Sequence, residues 1–88
     1  MFRAFDVWRR FEDGTLMRYR CFEKIPHGGF CVQSADFYTN PLDEGLIRIF
    51  EIQFLELLLE EAPDNRAGTY STIEEAIAKH DQAFDDAE

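Results

Sequence analysis

Cysteine occurs only twice, proline three times, and nine basic residues stand against eighteen acidic ones. No run of roughly eighteen apolar residues is present, which removes a membrane-spanning helix and sets aside a membrane as partner. The thiols Cys21 and Cys31 are too few for a disulfide framework and lack the close spacing of a zinc or redox motif. Two reduced thiols are expected. The first ten residues carry Arg3, Asp6, Arg9 and Arg10 in place of the apolar run of a secretory leader. The chain is therefore read as cytoplasmic.

The shortage of basic residues is uneven. Residues 1–35 hold six Arg or Lys against four Asp or Glu, whereas residues 36–88 hold three against fourteen. A formal charge of -9 concentrated in the second half repels phosphate backbones and anionic lipid, and it suits a basic protein partner.

Aromatic residues are abundant, with nine Phe, three Tyr and one Trp in 88 residues. That is more large apolar surface than a disordered chain carries. A chain of this length buries roughly 60–70% of its unfolded surface, enough for one core, so a single domain over 1–88 is expected.

Arg3 to Phe11 and Thr15 to Ile25 are rich in aromatic and β-branched residues and flank Glu12, Asp13 and Gly14, which predicts a hairpin. A two-residue loop would bring Arg9, Arg18 and Arg20 together on one face with Phe5, Val7, Phe11, Leu16 and Phe22. A three-residue loop with Gly14 left-handed instead groups Phe5, Val7 and Phe11 with Met17, Tyr19 and Cys21, interrupted only by Arg9. It also sets Asp6 opposite Arg20 and Trp8 opposite Arg18, an ion pair and a cation–π contact. The second register is preferred. Pro26 to Gly29 makes the next turn, and Phe30 to Tyr38 a third strand, with Cys21 opposite Ser34.

Asn40 as cap, Pro41 at the first position, and Asp43 and Glu44 near the positive end of the dipole predict a helix from about Pro41 to Glu61. Leu46, Ile47, Phe50, Phe54, Leu57 and Leu58 form the stripe expected on the sheet. A second stripe, Ile52, Leu55, Leu59 and Ala62, needs its own cover. The competing reading makes 46–54 a fourth strand followed by a shorter helix. Asp64 to Tyr70 is expected as loop. Ser71 with Glu74, or Thr72 with Glu75, then caps a last helix with Ile73, Ala76, Ile77, His80 and Phe84 on its apolar side, frayed over 85–88 by Asp85, Asp86 and Glu88.

The fold class expected is thus α+β: a three-stranded antiparallel β-meander followed by two helices packed on one face, with four strands and shorter helices as the alternative.

No catalytic, metal or cofactor pattern stands out, so no cofactor is expected. Cys21, His27 and Cys31 lack a fourth zinc ligand. A thiol enzyme or hydrolase would require His27 or His80 poised on Cys31 or Ser34, which spacing does not fix. Asp36, Asp43 and Glu44 form a conceivable acid pair, but helix capping accounts for two of them. Gly28 and Gly29 precede a strand, where phosphate-binding loops precede a helix.

Two surfaces remain. Ile52, Leu55 and Leu59 mark a partner interface if the last helix leaves them bare. Trp8, Arg10, Arg18, Arg20 and Phe22 form a basic, aromatic strand face of the type that stacks single-stranded nucleic acid, unless the arginines are consumed by neighbouring carboxylates. The function expected is that of a small acidic non-catalytic interaction or regulatory module that self-associates or binds another protein. A nucleic-acid-binding regulator is the alternative.

Overall fold

The computed structural model describes residues 1–86, and of 84–86 the backbone alone. Strands β1 (Phe2–Arg10), β2 (Leu16–Lys24) and β3 (Phe30–Tyr38) form an antiparallel meander in that order, followed by helices α1 (Glu44–Glu60), α2 (Pro63–Ala67) and α3 (Ile73–Asp86). This is the α+β meander with helices packed on it that the sequence predicts.

The first hairpin takes the preferred register. Phe11 and Thr15 close a loop of Glu12, Asp13 and Gly14, with Gly14 at φ 91° and the Asp13 carboxylate accepting from the Thr15 amide at 2.9 Å. Asp6 lies opposite Arg20 and Trp8 opposite Arg18, and the cation–π contact forms, but the expected ion pair is corrected: Asp6 pairs diagonally with Arg18, and Arg20 turns to Asp36 and Glu51. On β3 the register slips by one residue, so Arg20 lies opposite Ser34 and Cys21 opposite Val32. The expected pairing of Cys21 with Ser34 is therefore corrected. Gln33 is the extra residue, and an inserted residue of this kind is invisible to alternation counted from a turn.

Met17, Tyr19, Cys21 and Val32 on one sheet face form a buried cluster with Ala76 of α3, and Phe5, Val7, Ile73 and Ile77 pack around it. The charges on that face lie at its margins: Arg9 is 3.8 Å from Asp81, and Arg3 pairs with Glu23 at 2.8 Å. The opposite face carries Arg18, Arg20 and Phe22, and α1 covers it: Phe54 stacks on Phe22 at 5.8 Å and Phe50 meets Tyr38 edge-on at 5.6 Å. The two long helices therefore sit on opposite faces of the sheet, a correction to their expected placement together. The route of the chain explains it. After α1 it turns through α2, whose Pro63 is buried, and Tyr70 pairs with Phe30 along the outer edge of β3. It enters α3 on the far side.

One local expectation holds and two change. Residues 46–54 are helical, which removes the fourth-strand alternative. The cap of α1 is Asp43, not Asn40, because its carboxylate reaches the Leu46 amide at 3.1 Å. The expected loop at 64–70 contains the short helix α2. At α3 the Thr72 hydroxyl accepts from the Glu75 amide at 3.1 Å, one of the two capping arrangements foreseen. The backbone of α3 continues through Asp86, which corrects the fraying expected at 85 and 86, while the side chain of Phe84 and residues 87–88 lie outside the described residues.

Candidate functional site

Helix α1 has more apolar surface than the sheet can take. At 3.6 residues per turn, Ile47, Phe50, Phe54 and Leu57 fall on one side, and all four are half-buried. Ile49, Ile52, Leu55 and Leu59 fall on the other. No residue of α1 is fully buried. Ile49 is 56% exposed, Ile52 46%, Leu55 55% and Leu59 87%, and Leu46, expected on the sheet, is instead exposed. The last helix does not cover this face, because its Ile73 and Ile77 are spent on the opposite side of the sheet.

What fixes α1 is largely a charge network. The Glu51 carboxylate accepts from the Arg18 guanidinium at 3.0 Å and the Arg20 guanidinium at 2.8 Å. Arg18 also donates to Asp6, and Arg20 Nε donates to Asp36, each at 2.8 Å. The Arg20 side chain is 3% exposed and that of Asp36 9%, so this pair is inside the protein. The hydrogen bond from Arg20 holds the Glu51 carboxyl below its ordinary range. A buried ion pair of this kind specifies position more than it adds stability. Here the buried pair joins β2 to β3, and α1 is tied to it through the half-exposed Glu51 carboxylate.

The network decides the state of the basic, aromatic strand face. Arg18 rests against Trp8 at 5.2 Å and is held by Asp6 and Glu51. Arg20 is buried beneath α1 over the Phe54 ring at 5.0 Å, and Phe22 is buried with it. Trp8 and Arg10 stay exposed, with Trp8 also against Tyr38 at 5.7 Å. The five residues are not presented as one surface.

The residues considered for catalysis are dispersed. Cys21 and Cys31 are free and buried, and burial pushes their thiols up to about 12 and about 11. His27 is exposed in the second turn. His80 lies edge-on to Tyr19 at 5.9 Å with Nδ1 3.8 Å from Asp81, and burial lowers its pKa. Asp36 is tied to Arg20, and Asp43 caps α1. Among the described residues no group of three or more His, Cys, Asp or Glu is placed to hold a metal ion, and no helix is long and apolar enough to cross a membrane.

An open cleft of about 340 Å³ lies between β3, α2 and α3, lined by Val32, Ser34, Arg66, Tyr70, Lys79 and His80 among others. Arg66 is directed to Glu60 and Glu61 at 3.7 Å. Sequence reasoning missed this cleft, and it missed Glu51 as the anion shared by two arginines. The signal for Glu51 was a carboxylate between Phe50 and Phe54, next to the sheet-facing side of an amphipathic helix. Compared with known proteins, the chain matches no family model, no curated protein and no solved structure at a significant level.

Proposed function

We propose that the protein is a small, acidic, non-catalytic interaction module that self-associates through the outer face of α1. The observation that carries this reading is the row Ile49, Ile52, Leu55 and Leu59, exposed on a helix whose opposite side is already used by the sheet. A contiguous patch of that kind is costly to leave in water and marks an interaction surface. The anchoring of α1 by Glu51, Arg18, Arg20 and Asp36 supports it further, since the face is presented on a positioned element.

Buried thiols with raised pKa values work against nucleophilic cysteine chemistry. The engagement of Arg18 and Arg20 by carboxylates leaves a nucleic-acid-binding role with little to stand on. A cytoplasmic setting suits two free cysteines.

Light scattering on the eluting protein tests the proposal. The wild type is expected to pass from monomer to dimer as concentration rises. Leu55→Glu and Leu59→Glu, which place a charge on the exposed face, are expected to remain monomeric with unchanged circular dichroism. Variants that dimerise like the wild type would overturn this choice of surface.

A further inference from the structure

The order of residues along the outer face says how a second copy fits. This step rests on the self-association proposed above. Taking Ile52 as the centre, Arg48 and Glu56 lie about 40° to either side, one turn before and one turn after it. Gly45 and Leu59 lie about 20° off centre at the two ends, and Ile49 and Leu55 about 60° off. A two-fold axis at Ile52 that runs the helices antiparallel brings each of these residues into one layer with its opposite number. We infer that a second copy docks in this way, with Arg48 against the partner's Glu56, and Glu56 against the partner's Arg48.

Three observations favour that register. Arg48 and Glu56 are exposed and, among the described residues, neither makes an ion pair within its own chain. Arg48 is the only basic residue of α1, so it is the one cation this acidic helix can offer to a copy of itself. Gly45, at the other end, has no positive φ and no side chain of its own, and a Cβ there would crowd the capping Asp43 carboxylate at 3.2 Å. Its bare surface leaves room for the partner's Leu59, the most exposed large apolar side chain of the helix.

A parallel pair has the opposite character. It sets Arg48 beside the partner's Arg48 and Glu56 beside the partner's Glu56, like against like, between chains that already carry a formal charge of -9 each. The antiparallel arrangement is isologous and closes on itself, so it ends at the dimer. A single helix pair lies at the small end of specific interfaces, below about 1,200 Å² in total, and gives a reversible dimer.

Charge reversal tests the register with residues that hold nothing inside the monomer. The dissociation constants of the wild type, Arg48→Glu, Glu56→Arg and the double variant are measured by sedimentation equilibrium at low salt. Each single reversal makes two like-charge contacts per dimer and is expected to weaken it on the order of tenfold. The double variant restores both pairs and is expected to return to within about threefold of the wild type. Single variants that match the wild type, or a double variant weaker than either single one, would overturn the register while the apolar face stays the interface. A wild type that is monomeric throughout would overturn the self-association beneath it.

Discussion

The two faces of the sheet are built on different principles. Toward α3, Met17, Tyr19, Cys21, Val32 and Ala76 close into a conventional apolar cluster, and Tyr19 adds a hydrogen bond of 2.9 Å to Asp81. Toward α1, the contact is two aromatic pairs and a chain of charges from Asp6 through Arg18, Glu51 and Arg20 to Asp36. The first face uses the apolar residues of its helix inward. The second holds its helix by position and leaves a comparable apolar row turned outward. A helix can thus be fixed in place without being covered, and the uncovered side is then free for a partner.

That contrast makes distinct demands on substitution. The largest effect is expected on the α1 side, at Asp36→Ala. Losing this carboxylate leaves the buried Arg20 with only the half-exposed Glu51, at about 3–5 kcal/mol by urea denaturation. Met17→Ala, on the α3 side, should cost about 2–5 kcal/mol in the same measurement through the cavity it opens. If Asp36→Ala were neutral, the charges would be incidental and the difference between the faces would disappear.

Smaller effects sharpen the comparison. Tyr19→Phe removes the hydroxyl that donates to Asp81 and should cost about 1 kcal/mol, seen as a lowered urea midpoint with unchanged slope. Leu55→Ala should leave monomer stability within about 0.5 kcal/mol, since the side chain touches little inside the chain, yet weaken association.

The pH dependence has a definite sign at each end. His80 and Glu51 have folded-state pKa values below their ordinary values of 6.5 and 4.5, the first through burial and the second through the Arg20 hydrogen bond. Each contributes stability present above its ordinary value and lost as pH falls through the folded-state value. The Glu51 step is the smaller because solvent screens a half-exposed group. The thiols of Cys21 and Cys31 are raised from 9.0, so their contribution is present below that value and lost as pH rises toward about 12 and about 11. Thermal melts across pH should show a plateau between 6.5 and 9.0, and His80→Gln should remove the first acid step.

Much of this architecture was legible in the sequence. The hairpin register followed from keeping Arg18 and Arg20 away from Phe5, Val7 and Phe11, because a one-residue slip moves every side chain to the other face. The second stripe of α1 followed from helical spacing. The side of the sheet that each helix takes was not legible, because it depends on the path through α2 and the Tyr70 bridge to β3, neither of which has a periodic signature. Nor was the role of Glu51, since an acidic residue beside aromatic ones reads as solvated until the arginines it meets are known. The slip at Gln33 belongs to the same class of feature, set by tertiary packing and not by propensity.

Whether α1 presents its outer face to a second copy is tested most directly by sedimentation equilibrium of the wild-type protein over a wide concentration range. A reversible monomer–dimer equilibrium that persists from low to moderate salt is predicted, because the Ile49, Ile52, Leu55 and Leu59 row supplies most of the contact and the Arg48 pairs the smaller part. A strict monomer at every concentration would contradict it and leave the exposed face to a different protein.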